Sequence, residues 1–188
     1  MSPTPPLVHF PDGTVRPLIA GATSVTTPLP AGDRPLLLLD LDGVVLPFAA
    51  RAEDVEHRLR GELSVRFRPD VPQLLRELAS DFDLVWATMW EHRANAVVAP
   101  LLGLPALPVI SFDDRVTAGR TLKLPAVQRQ VGDRPLAWVD DSLGPDAHAW
   151  AAARAAPTLL LDIDPSTGLH VDHARQLHAF ATAVSATR

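Results

Sequence analysis

The sequence predicts an α/β domain built on an open, mainly parallel, doubly wound sheet with helices on both faces. Three observations carry this expectation. From Leu36 onward, short apolar runs alternate with segments of helical periodicity. Runs such as Leu36 to Leu39 are apolar throughout, the pattern of strands buried on both faces. Polar residues fall at the carboxyl ends of these runs, where such sheets bind ligands.

Each element follows from local chemistry. Leu36 to Leu39 reads as the first strand, running straight into Asp40-Leu41-Asp42-Gly43-Val44. In Arg68-Pro69-Asp70-Val71-Pro72, Asp70 is placed to cap a helix over 71–80, with Pro72 tolerated in its first turn and Leu74, Leu75 and Leu78 on one face. Phe82 to Ala87 is the second strand and ends at Thr88. A helix from Glu91 to Ala99 is expected next, stopped or kinked by Pro100. Pro105 and Pro108 bracket a short strand over 109–112, then a polar loop from Asp113 to Gly119 and a helix from Leu122 to Val131. Leu136 to Val139 is a further strand, ending in Asp140-Asp141. A helix over 145–156, a strand over 158–161 and a closing helix over 171–183 complete the pattern.

Chain length fits one domain with a full core. Residues 34–188 are assigned to it and residues 1–33 to an amino-terminal arm, because prolines crowd the first thirty residues. Within the arm, Leu7 to Phe10 and Thr14 to Leu18 flank Pro11-Asp12-Gly13, so a hairpin and a disordered leader are both open. No basic start precedes a long apolar stretch and no run approaches the roughly 20 residues that span a bilayer, which predicts a cytoplasmic protein with no membrane partner. Absence of cysteine excludes thiolate zinc sites and cysteine nucleophiles. The net charge of −5 disfavours nonspecific phosphate-backbone binding. Arg51, Arg58, Arg60, Arg66 and Arg68 are interleaved with Glu53, Asp54, Glu56 and Glu62, a mixed surface and not a nucleic-acid stripe.

The strand ends bring together Asp40, Asp42, Thr88, Asp140 and Asp141, with Lys123 near the start of a helix able to reach the same crevice. Carboxylates converging on one mouth repel, so they need a cation, and a hard ion such as Mg²⁺ suits an all-oxygen set. Asp40, Asp42, Asp140 and Asp141 are the candidate metal-side acids, and Thr88 and Lys123 the candidate phosphate ligands. Asp40 could attack phosphorus to form an aspartyl-phosphate, with Asp42 protonating the leaving oxygen and later activating water.

The order Asp40-x-Asp42-Gly43-Val44, Thr88, Lys123, Asp140-Asp141 resembles the haloacid dehalogenase (HAD) superfamily of phosphohydrolases, over roughly residues 35–165. The resemblance implies a HAD-like, Rossmann-like domain, a Mg²⁺-dependent phosphatase, Asp40 as nucleophile and Asp42 as acid and base. More narrowly, Trp86-Ala87-Thr88-Met89-Trp90-Glu91-His92-Arg93-Ala94-Asn95 and Trp138-Val139-Asp140-Asp141 are similar to a small bacterial subgroup of HAD domains associated with RNA repair proteins. Met89 and Trp90 depart from the small residue the superfamily often carries after its Thr or Ser, and predict a tighter or more apolar pocket. Asp42 favours phosphoryl chemistry over carbon–halogen cleavage.

Rival readings are a response-regulator receiver domain, a phosphotransferase of the same fold, and a silent phosphate-binding or scaffold domain. Motif order argues against the receiver, and the presence of Asp40 against the silent domain. Trp86, Trp90, Trp138 and Trp150 read as core or pocket wall, and His170, His173 and His178 as a solvated helix face and not a metal site. The segment between Val44 and Pro69 has room for a flap but no large cap domain, which predicts an open site for a phosphorylated substrate: a small phosphate ester, a nucleotide or an RNA end.

Overall fold

A computed structural model describes residues 7–9, 15–17, 28–59, 64–112 and 121–187, the first two stretches as backbone. Strands β1 (Leu7–His9) and β2 (Val15–Pro17) pair antiparallel. The expected turn at Pro11 to Gly13 and the loop from Asp113 to Gly119 lie outside the described residues.

Four strands form the central sheet: β3 (Leu36–Leu39), β6 (Asp83–Trp86), β7 (Leu136–Asp140) and β8 (Thr158–Asp162), all parallel, in the order β6-β3-β7-β8. The period of two along each strand divides the core. Leu37, Leu39, Leu84, Trp86, Ala137 and Val139 face helices α1 (Val71–Asp81) and α5 (Val171–Ala186). Leu36, Leu38, Val85, Leu136 and Trp138 face α3 (Leu124–Val131) and α4 (Pro145–Ala153). Leu36 to Leu39 are wholly inaccessible, and burial of each stabilises the fold by about 1.5–3 kcal/mol.

Between β3 and α1 lies an antiparallel hairpin of β4 (Val55–Arg58) and β5 (Ser64–Phe67). Val65 and Phe67 anchor it in the core, and His57 stacks on Phe67. The described residues hold no cap domain. None of the described helices is long and apolar enough to cross a membrane.

Several local expectations are corrected. Residues 109–112 make no strand; Val109 forms one isolated bridge to Trp86, because flanking Pro108 offers only its carbonyl, to the Trp86 N–H. The helix expected from Glu91 starts later, since Glu91 adopts a positive φ of 45°, and it widens into a π turn over Ala94–Val98 before an α turn, α2 (Ala99–Leu101). Pro100 sits inside that last turn, in its first positions where a proline is tolerated, and the segment ends one residue later, at Leu101. Asp70 occupies the N-cap position of α1, yet its side chain makes no cap bond: both oxygens accept from Arg68 at 3.0 Å. The helix expected over 122–131 begins at Leu124, and the one over 145–156 ends at Ala153, where Arg154 turns extended. His170 and His173 do not form a mere solvated face: they cap the start of α5 reciprocally, and His178 pairs with Asp81 at 2.6 Å.

Candidate active site

From β3 the chain connects to β6 on one side of the sheet, and from β7 to β8 on the other. Neighbouring strands whose connections leave in opposite directions open a crevice beyond their carboxyl ends. Asp40 follows β3 and Asp140 ends β7, so both acids stand in that crevice.

Asp40 is buried. Its Oδ1 accepts from the Leu41 backbone N–H at 2.7 Å and its Oδ2 lies 2.5 Å from Lys123 Nζ. The same ammonium donates to Asp140 Oδ2 at 2.8 Å, and Asp140 also accepts from Trp138 Nε1 at 3.2 Å and the Ser142 N–H at 3.0 Å. One cation thus bridges two buried carboxylates. Burial, then the Asp140 charge, pushes the Asp40 carboxyl up to about 7 against the pull of Lys123. Burial works against the Lys123 ammonium, but Asp40 and Asp140 outweigh it and raise its pKa.

Lys123 stands at the N-cap of α3, an end of a helix that repels positive charge. Its position is fixed by Thr121, whose N–H and hydroxyl both donate to Asp146 in the first turn of α4 at 3.1 and 2.8 Å, and whose Oγ1 accepts from the Gly144 N–H at 2.7 Å. Sequence reasoning missed Thr121 and Asp146; the acid in the first turn after Gly144-Pro145 was the available signal.

Asp42 is half-buried, with Oδ2 accepting from Trp90 Nε1 at 2.8 Å. Burial raises its pKa, opposed by the Trp90 bond and by Lys123. Gly43 adopts φ +74°, and a β-carbon there would stand 2.5 Å from Asp141 Oδ2, so a glycine lets the first acidic loop and the second come together. Burial and the Asp140 charge raise the Asp141 carboxyl.

Asp40, Asp42, Asp140, Asp141 and Lys123 line one cavity of about 170 Å³, rimmed by Phe48, Met89 and Leu122. Thr88 is fully buried, accepts from the Trp90 N–H at 3.3 Å and is not among the described lining residues. Oxygens of Asp40, Asp140 and Asp141 lie within 4.8 Å of one another, a set of hard donors that fits a divalent ion such as Mg²⁺. Asp42 stands outside that triplet, its Oδ2 held by Trp90.

A family model described as "HAD domain in Swiss Army Knife RNA repair proteins" matches residues 36–174, most of the chain and every residue of the cavity. No curated protein matches the chain.

Proposed function

Because the chain belongs to the family of HAD domains found in Swiss Army Knife RNA repair proteins, we propose that it is a Mg²⁺-dependent phosphatase that hydrolyses a phosphate monoester through an aspartyl-phosphate on Asp40. The observation that carries this reading is the placement of Asp40 and Asp42 in one cavity, the first bound to a shared ammonium and the second to an indole N–H.

Asp40 Oδ2, the oxygen facing Lys123, is the nucleophile, and the Leu41 N–H orients the carboxylate by holding Oδ1. Lys123 draws the incoming phosphoryl oxygens toward Asp40 and Asp140. A divalent ion held by Asp40, Asp140 and Asp141 would supply neutralisation of their charge and of the charge that develops on the phosphoryl oxygens. Asp42, its pKa raised by burial, carries a proton to the leaving oxygen as the P–O bond breaks, and then takes one from the water that attacks the phosphorus of the aspartyl-phosphate. Thr88, buried behind the strand end, holds the loop that carries Trp90. The phosphorylated substrate reaches these groups over an apolar rim whose Phe48 and Leu122 stay about half exposed. An RNA end is the substrate that the family description favours.

Phosphate release from a generic aryl phosphate, with and without Mg²⁺, tests the reading on wild type and Asp40→Asn. Mg²⁺-dependent release that the variant loses is the expected result. Release that persists in Asp40→Asn contradicts the nucleophile.

A further inference from the structure

Trp90 is a costly residue to place where it stands. It sits in the turn after β6, half-buried against the core, and its Nε1–H reaches the loop after β3, donating to Asp42 Oδ2 at 2.8 Å. The turn is fixed at several points. The Trp90 N–H donates to Thr88 Oγ1 at 3.3 Å, and the Glu91 N–H donates to Thr88 O at 3.0 Å. Glu91 is the one non-glycine residue with positive φ among the described residues, a backbone state that costs about 1–3 kcal/mol and clusters at functional sites. Its carboxylate accepts from the Phe112 N–H at 2.9 Å, tying the strained turn to the next segment of chain. Arg93 places its guanidinium 5.5 Å from the centre of the indole ring. Satisfying a buried indole N–H needs none of this; any backbone carbonyl would do.

We propose that Trp90 is a positioning residue that fixes the Asp42 carboxyl in the orientation for proton transfer to the leaving oxygen. This rests on the reading of Asp42 as the general acid. An indole N–H only donates, so Asp42 Oδ2 must accept, and because the carbonyl oxygen is the better acceptor the proton of the carboxylic acid is favoured on Oδ1. That proton passes from Oδ1 to the leaving oxygen as the P–O bond breaks, leaving a carboxylate whose charge the same indole bond stabilises. Without the indole, the carboxyl turns freely about its last bond and its proton is shared between two oxygens.

The consequence is selective. An alkoxide leaving group needs the proton; a nitrophenolate needs far less help. Trp90→Phe keeps a ring in the packing and removes the donor. The expected result is that Trp90→Phe lowers kcat/KM, which reads the step in which the leaving group departs, on the order of ten-fold more for an alkyl phosphate than for nitrophenyl phosphate, a part of the 10²–10⁴-fold that general acids contribute. In an Asp42→Asn background the same substitution adds little on the alkyl ester, because the group it positions has gone. Equal losses on both esters, or full additivity with Asp42→Asn, overturn the assignment while leaving the phosphatase reading intact. Failure of wild type to hydrolyse either ester removes the phosphatase reading and this assignment with it. A melting curve of Trp90→Phe close to wild type establishes that the bias is not partial unfolding; if that variant melts early, the comparison of the two esters still decides, since unfolding lowers both alike.

Discussion

Both ends of the parallel sheet carry charge, and they balance it in opposite ways. At the carboxyl end, Asp40 and Asp140 share one ammonium, Lys123, while Asp42 and Asp141 stand beside them in the same cavity. At the amino end, one carboxylate, Asp83, meets two guanidiniums: Arg34 at 2.6 Å and Arg134 at 2.7 Å. The spare donors of those arginines go to backbone carbonyls, Arg34 to Ala79 and Ser80, and Arg134 to Pro30 and Arg34. Arg154 extends the pattern to the Gly132 and Arg134 carbonyls. The amino end is thus a clamp in which two guanidiniums share the Asp83 carboxylate and other donors of the arginines reach backbone carbonyls, while Arg134 Nε and Arg154 Nε stay buried without a partner among the described residues. The carboxyl end keeps a surplus of negative charge that no protein group neutralises within the described cavity lining, and such a surplus in a buried place is a demand for something positive from outside.

Substitutions at the two ends should therefore separate activity from stability. The largest effect is expected at Asp40→Asn, which lowers phosphate release on the order of 10⁴-fold or more while the melting temperature holds or rises, since a carboxylate whose charge burial disfavours has gone. Steady-state kinetics beside a thermal melt reads both.

Lys123→Met leaves Asp40 and Asp140 buried without their shared cation and should cost about 3–5 kcal/mol in urea unfolding. The pH dependence sharpens this. The Asp40 carboxyl titrates at about 7 in the folded protein, above its unfolded value, so between those values the native state holds the extra proton. Its contribution is fully present below the unfolded value and is lost as pH rises through about 7. Metal-free wild type should thus lose stability between pH 5 and pH 7.5 in a way that Asp40→Asn does not. A melt series in chelator checks it, and a flat wild-type profile would contradict the burial argument.

Smaller still is Gly43→Ala. The added methyl meets Asp141 at 2.5 Å and sits on a backbone with φ +74°, so a destabilisation of about 1–3 kcal/mol is expected together with weaker Mg²⁺ binding in a calorimetric titration. At the amino end, Asp83→Asn should cost about 1–3 kcal/mol, because Arg34 is more than half exposed while Asp83 and Arg134 are largely buried, and should leave kcat/KM unchanged. A large fall in kcat/KM there would break the division between a clamp and a reactive mouth.

How much of this was legible in the sequence differs by the range of the interaction. Leu36 to Leu39, Leu84 to Ala87 and Leu136 to Val139 carry their strand assignment locally, as unbroken apolar runs, and the polar residues at their ends follow from the position of each run. The acids at those ends, with Gly43, Val44, Thr88 and Lys123 in the same order, carried the HAD resemblance. The bond from Trp90 to Asp42 joins residues 48 apart and leaves no local trace; Trp90 reads from sequence as pocket wall. Likewise the Asn95 side chain accepts from Trp86 Nε1 at 3.0 Å and bonds Leu107 at both its oxygen and its amide, which explains a motif residue that has no obvious chemistry of its own. Asp70 failed as a cap because Arg68, two residues earlier, offers a two-pronged charged partner that outcompetes a backbone N–H. The amino-end clamp was invisible for the same reason as Trp90: Arg34, Asp83 and Arg134 are brought together only by strand order.

The most direct test of the account is to trap the covalent intermediate. Wild-type protein mixed with Mg²⁺ and a phosphate monoester is quenched in acid within the first turnover, digested and weighed by mass spectrometry. The account predicts one phosphoryl group on the peptide that contains Asp40, absent from the same peptide of Asp40→Asn. Substrate turnover with no phosphoryl group on that peptide, or with one on another residue, would contradict it.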